Sequence, residues 1–197
     1  LYYTGYFDAA TSFRHALFQT VSIASTTGFA SSDFNLWPDF SRYVLLLLMF
    51  VGGCSGSTAG GMKVSRFVIL LKVTWAELRR TIHPRLVYSI KMGGRNVPPV
   101  VVGNVTRFFY LYMIVFSTLT LLISLTGLSM LDSMGIIAAC MSSVGPAFGI
   151  VGPTATYADV STFGRLVVIA AMILGRLEIF TLLIIMRPDF WRVKRNW

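Results

Sequence analysis

The stretch that decides the fold is VGGCSGSTAGGM, residues 51–62, which continues directly from the apolar run YVLLLLMFV of residues 43–51. Every residue from Gly52 through Gly61 is small, with glycine at positions 52, 53, 56, 60 and 61. The apolar run has the character of the first half of a membrane-spanning helix, and a block of small residues with low helix propensity interrupts it. Non-helical backbone at membrane depth is tolerated only where it is buried in protein or lines a water-filled cavity. An intramembrane loop is therefore one reading. Gly52, Gly56 and Gly60 also spell GxxxGxxxG, a close-packing face for a neighbouring helix. A phosphate loop fits worse, because Met62-Lys63-Val64-Ser65 follows where Gly-Lys-Ser/Thr is needed. A flexible linker is out of place at the end of so apolar a run.

Composition points to the bilayer. With 55% hydrophobic residues, 13% charged residues and a mean hydropathy of +0.69, the 197-residue chain is too apolar for a soluble domain. The net charge of +9 would suit a nucleic-acid partner, but its distribution argues against one. Lys63, Arg66, Lys72, Arg79, Arg80, Arg85, Lys91, Arg95 and Arg107 face a single acid, Glu77, and the tail from Arg187 to Trp197 repeats the excess around Asp189. Lys/Arg excess on the flanks of apolar segments marks the cytoplasmic side. The loops holding Asp8, Asp33, Asp39, Asp132 and Asp159 then belong to the outer face. Cys54 and Cys140 lie in apolar or small-residue segments and lend no support to a disulfide framework. The chain opens at Leu1 with neither a charged n-region nor a cleavage site, so no signal peptide is expected and it reads as a fragment.

Two segments, Val105 to Thr126 and Gly164 to Met186, reach the ~20 residues that a spanning helix needs. Met134 to Met141, MGIIAACM, lies between them and is too short to span, as a re-entrant helix would be. The first part of the chain repeats this order. STTGFA, residues 25–30, aligns with SSVGPA, residues 142–147, placing Gly28 over Gly145. A further shift of six residues aligns Ser41-Arg42 with Gly164-Arg165, Met49 with Met172 and Gly52 with Gly175. Each repeat thus holds a short helix, a Gly-centred polar loop and a following span, and in transporters sites lie where such repeats meet.

Both loops join hydroxyl residues to a glycine behind the negative end of a short helix. A cation that sheds water needs a ring of oxygen ligands, which backbone carbonyls supply where glycine tolerates the required dihedrals. A polar turn on the outer surface is the plainer alternative for either loop taken alone. Arg176 is a second unusual feature. It stands twelve residues after Gly164, ~18 Å along a helix and near the middle of a ~30 Å hydrocarbon core. A cation at that depth faces a cavity or a partner. Glu178, two residues on, projects to a different side, so each charge is expected to meet another segment, either in an interhelical ion pair or along a water-filled path.

Together, STTGFA, GGCSGSTAGGMK, SSVGPAFGIVGP and GRLEIFTLL resemble the third and fourth pore modules of the Trk/Ktr/HKT superfamily of potassium transporters, closest to bacterial Trk-type membrane subunits. The likeness covers nearly the whole chain. It implies an all-α integral membrane fold of repeated helix–re-entrant pore loop–helix modules forming part of a pseudo-fourfold cation pore. Residues 1–95 would be the third module, lacking its first span and carrying a broken second span with a cytoplasmic extension. Residues 96–197 would be the fourth module with a basic tail. The resemblance implies potassium-binding filter carbonyls at Thr26, Thr27, Gly28, Ser143, Val144 and Gly145. It implies a gate at Gly52, Gly53, Cys54, Ser55, Gly56, Ser57, Thr58, Ala59, Gly60 and Gly61, and a pore barrier at Arg176. It also implies a cytosolic nucleotide-binding regulatory subunit and a homodimer in the bacterial inner membrane, with the C-terminus cytoplasmic. One glycine per loop, in place of the Gly-x-Gly of potassium channels, implies looser selectivity.

The expected function is potassium uptake, with K+ as the transported ion, the lipid bilayer as surroundings and no cofactor. The alternative is a non-transporting membrane scaffold or regulatory subunit whose Gly-rich segment is a packing surface. An enzyme is remote, since no nucleophile–base pair, carboxylate dyad or metal cluster is visible. His15 and His83 lack spaced metal-ligand companions, and Asp33, Asp39 and Asp159 would concentrate cations weakly at an outer vestibule, screened within ~8 Å. The loop through Lys91-Met-Gly-Gly-Arg95 reads as basic flank or a contact for anionic lipid. Trp37, Trp191 and Trp197 read as interface anchors.

Overall fold

In a membrane a helix must either cross completely or have its free backbone groups met by other protein, and both solutions occur here. The computed structural model describes residues 5, 8–54, 56–57, 59–83, 89–177, 184 and 191. In chain order the helices are α1 (Ala9–Ala24), α2 (Asp39–Phe50), α3 (Val64–Ile82), α4 (Pro99–Ser124), α5 (Met130–Met141) and α6 (Thr162–Arg176). Four two-residue strands accompany them: β1 (Val51–Gly52) pairs in parallel with β2 (Met62–Lys63), and β3 (Lys91–Met92) pairs antiparallel with β4 (Arg95–Asn96).

Helix α4 has 26 residues and is long and apolar enough to cross a membrane. It begins at Pro99, ahead of the expected Val105, because Pro99 sits in the first turn where its missing N–H costs nothing. Helix α5, with 12 residues, is ~18 Å long and cannot cross a ~30 Å core. It begins at Met130 instead of Met134: Ser129 Oγ accepts the Asp132 N–H at 3.1 Å, and Asp132 places a carboxylate at the positive helix end. The expected span from Gly164 is helical from Thr162 to Arg176; residues 178–183, including Glu178, and 185–186 lie outside the described residues.

The repeat is geometric as well as sequential. Helices α1 and α5 close in the same way, with Ser25 at φ −83° and Ser142 at φ −87°, followed by Thr26 and Ser143, both at φ 57°. In each case one N–H reaches back into the last turn, Thr26 to Ile23 O at 3.0 Å and Ser143 to Cys140 O at 3.2 Å. The next N–H closes the outer ring, Thr27 to Ser22 O and Val144 to Ala139 O, both at 2.9 Å. This pair of bonds is the Schellman closure, with Thr or Ser where glycine is usual. Equivalent tight turns follow at Phe34–Leu36 and Tyr157–Asp159, capped by Asp33 accepting from Asn35 N–H and Thr156 accepting from Ala158 N–H. The six extra residues of the second repeat contain another turn, Gly149–Val151, which Asn35 grips twice: its Nδ2 donates to Gly149 O at 3.2 Å, and its Oδ1 accepts from Gly149 N at 3.0 Å.

Helix α5 is the centre of the packing. Its residues from Gly135 to Met141 are all buried, against α2, α4 and α6. Outward faces are apolar instead: Phe13 and Val21 on α1, Phe40 and Leu47 on α2, Tyr110 and Leu121 on α4, and Leu166 and Ile169 on α6 are exposed. Apolar belts of this extent suit lipid or further membrane helices. Trp37 departs from expectation. It is 5% exposed and belongs to the core cluster with Phe34 and Leu45, so it is a packing residue instead of an interface anchor. Trp191 is exposed, and Trp197 lies outside the described residues.

Asn35→Ala removes both bonds to the inserted turn and leaves the Gly149 N–H unmet, while Gly149 O keeps the Gly152 N–H at 3.2 Å. A destabilisation of ~1–3 kcal/mol is expected. It is measured as a lowered apparent melting temperature of the full-length protein in detergent.

Candidate functional site

The two Gly-centred loops meet. Gly28 lies at φ +81° against the Val144 carbonyl, leaving no room for a Cβ, and Pro146 Cδ closes the same space at 3.3 Å from where one would stand. Gly145 lies at φ +103° and faces open space. Positive φ therefore recurs at alternate residues, Thr26 and Gly28 in one loop and Ser143 and Gly145 in the other. A left-handed Thr or Ser is strained by ~1–3 kcal/mol unless its surroundings hold it, and here the Schellman closures do. Among the described residues no hydrogen bond engages the carbonyls of Thr26, Thr27, Ser143 or Val144. Ser22 Oγ donates to Phe29 O at 2.6 Å behind the first loop. Behind the second, Tyr157 Oη donates to Gly145 O at 2.6 Å. Burial, with Cys140 Sγ 3.4 Å away, pushes the Tyr157 phenol up, so it stays a donor.

The small-residue stretch forms a loop, not a helix. Helix α2 stops at Phe50, the β1–β2 pairing ties Val51 to Met62 and Gly52 to Lys63, and Val64 N–H bonds Gly53 O at 3.2 Å. Gly52, Gly56 and Gly60 consequently do not share a helix face, which removes the GxxxG reading. Their smallness is used differently. A Cβ on Gly60 would run into the Ser142 carbonyl and stand 2.8 Å from Ser143 Oγ. Gly61 N–H donates to Met141 O at 3.3 Å, and Ser142 Oγ donates to Met49 O. The loop is thus seated on the end of α5, directly behind the Ser143–Gly145 segment. Gly175 of α6 approaches the same place, where an added Cβ would stand 2.7 Å from Met141 Cα. Ser55 and Thr58 of the expected gate lie outside the described residues.

A cavity of about 310 Å³ opens beside this loop. Ser57, Ala59 and Gly61 line one side, and Leu174, Gly175 and Arg176 another. Arg176, the last residue of α6, is therefore brought to the loop. Lys63 and Arg66 line the same cavity, with the Arg66 guanidinium 4.1 Å from the centroid of the Phe108 ring. Neither stands out in the sequence, because both sit within a long basic run. Two of the acids expected at the outer vestibule have partners within the protein: Asp33 caps a turn and accepts from Thr154 Oγ1 at 3.3 Å, and Asp39 pairs with Arg42 at 3.1 Å. His15 Nδ1 lies 2.9 Å from Ser31 Oγ. The Lys91–Arg95 segment is a hairpin whose Gly93 and Gly94 have φ of 55° and 79°, and Lys72 Nζ donates to Lys91 O at 2.6 Å.

Two re-entrant helix–loop units, each followed by a helix and meeting at their glycines, define a membrane protein of the pore-loop class. The family described as TrkH, cation transport protein, matches residues 3–192, and the chain belongs to that family. The Trk system potassium uptake protein TrkH of Vibrio parahaemolyticus is 45% identical over 190 residues, 96% of this chain and 38% of the relative. The protein of that name from Escherichia coli K12 is 40% identical over 187 residues, 95% of this chain and 38% of the relative. The crystal structure of the potassium transporter TrkH from Vibrio parahaemolyticus matches with a TM-score of 0.85 at 44% identity, covering 95% of this chain and 40% of that one. The chain thus spans about two fifths of the length of these relatives.

Gly60→Ala pushes a methyl group into the Ser142 carbonyl and unseats the loop. In full-length protein carrying only Cys54 and Cys140 as thiols, the exposed Cys54 is expected to react with maleimide faster in this variant, while the buried Cys140 stays unreactive in both. Mass spectrometry of the labelled protein reads both sites.

Proposed function

We propose that residues 1–95 and 96–197 are the third and fourth modules of a pseudo-fourfold potassium uptake pore in the bacterial inner membrane. The single observation that carries this reading is the pair of equivalent loops whose carbonyls at Thr26, Thr27, Ser143 and Val144 have no hydrogen-bond partner among the described residues. Carbonyls left free at membrane depth are what a dehydrated K+ needs as ligands. Thr26, Thr27, Gly28, Ser143, Val144 and Gly145 then form half of the filter, and the two preceding modules of the whole protein supply the rest. The names of the relatives support potassium as the ion.

The Gly52–Gly61 loop acts as the gate. It is seated on α5 through the Gly61 N–H bond to Met141 O and opens on its other side to the cavity containing Arg176. With the loop in place the path below the filter is blocked, with Arg176 beside it as the pore barrier. Displacing the loop widens the path and admits water around Arg176. Regulation by a cytosolic nucleotide-binding subunit and assembly as a homodimer, with a cytoplasmic C-terminus, belong to the same reading by family likeness. The β3–β4 hairpin, with Lys91 and Arg95, is the described basic element suited to such a docking role.

The test is uptake of Rb+ against Na+ by liposomes containing the full-length protein. Wild type is expected to prefer Rb+. Gly145→Asp, which adds a strained side chain and a carboxylate to the loop, is expected to abolish Rb+ flux, and deletion of residues 56–60 to raise it. Folded wild type that carries no cation, even with its regulatory partner present, overturns the transport reading.

A further inference from the structure

The two loops are braced from opposite directions. In the first repeat the hydroxyl comes from the re-entrant helix, Ser22 Oγ to Phe29 O. The matching residue of α5 is Ala139, which carries no hydroxyl. In the second repeat the hydroxyl comes from the turn after the loop, Tyr157 Oη to Gly145 O. The matching residue of the first repeat is Phe34, which also lacks one and instead packs edge-on against Phe148 at 5.5 Å. Each loop thus has its own brace, but only in the second does the brace end on the glycine carbonyl.

We infer that Tyr157 is a positioning and specificity-determining residue, whose hydroxyl fixes the Gly145 carbonyl and thereby tilts cation preference toward the larger ions. The inference rests on the pore reading above. A carbonyl oxygen has two lone pairs, so one can take the phenol hydrogen while the other faces an ion. The bond acts in two ways with the same sign. It restrains the oxygen from closing in on a small ion, and it draws electron density from the carbonyl, lowering the field strength that favours Na+. With the phenol hydrogen committed to Gly145 O, the Cys140 thiol at 3.4 Å is the donor to Tyr157 Oη, which completes a buried chain behind the loop. Because burial keeps the phenol protonated, the brace is present at any physiological pH.

The experiment compares Na+ with Rb+ flux in liposomes of full-length protein. Tyr157→Phe removes one oxygen and keeps the ring. The Na+/Rb+ ratio is expected to rise about fivefold, the ratio equivalent to one ordinary hydrogen bond. A fluorinated tyrosine incorporated at position 157 is a stronger donor, and the ratio is expected to fall. General loosening of the turn would not produce opposite shifts from the two changes. An unchanged ratio in conducting Tyr157→Phe protein overturns this inference and leaves the pore reading intact. Should Tyr157→Phe fail to fold, an unchanged ratio with fluorotyrosine overturns it equally. Wild type without Rb+ flux overturns the pore reading, and this inference with it.

Discussion

A helix that stops inside a bilayer leaves the carbonyls of its last turn without partners, and no water is there to take them. That constraint organises this structure. Two helices, α2 and α5, stop at one place, and each lends the other what it lacks. Ser142, the residue after α5, donates its hydroxyl to Met49 O in the last turn of α2. Gly61, at the return of the loop after α2, donates its N–H to Met141 O in the last turn of α5. The break in α2 and the end of the re-entrant helix are therefore one feature. Removing the loop would take the Gly61 N–H from Met141 O and strand the end of α5, which explains why a stretch of so little helix propensity sits against the most deeply buried of the described helices.

The same constraint explains the glycines. Backbone can approach backbone closely enough to exchange these bonds only where no Cβ intervenes, and Gly60 and Gly175 approach Ser142 and Met141 from two sides. Position 175 is the register partner of Gly52, so the repeats use the same small residue for different ends. In α6 it lets the last turn of the helix lie beside the end of α5; in the first repeat it begins the loop. Among the described residues, the shared pattern of helix, loop and helix carries a second loop in the first copy. The other copy supplies the surface on which that loop rests.

Much of this was legible because it is written in local composition. The small-residue block, the short apolar MGIIAACM segment and the Gly28/Gly145 register each derive from residue type and spacing. The start of α5 was legible too, in Ser129 and Asp132 three residues apart, as was the hairpin in the adjacent Gly93 and Gly94; both lay within segments read for length or charge alone. Trp37 misled because an indole suits a membrane interface and a protein core for the same amphipathic reason. The bonds from Asn35 to Gly149 and from Ser142 to Met49 join residues 114 and 93 positions apart, and no periodicity encodes such pairs. Left-handed Thr26 and Ser143 were hidden because neither residue type advertises that conformation.

The strain at those two residues has a structural counterpart in the hydrogen bonding of their backbone. A Schellman closure consumes the N–H groups of Thr26 and Thr27, and of Ser143 and Val144, by turning them back into the helix. The carbonyls of the same residues are left without a hydrogen-bond partner among the described residues. A glycine at the left-handed position would relax the closure but would also free the loop to collapse when empty. Thr and Ser hold the same dihedrals within a narrower range, since a Cβ penalises departures that glycine permits. On the pore reading proposed above, the segment needs carbonyls that stay put without an ion, and the modest strain of Thr26 and Ser143, with braces from Ser22 and Tyr157, is a physical means to that end.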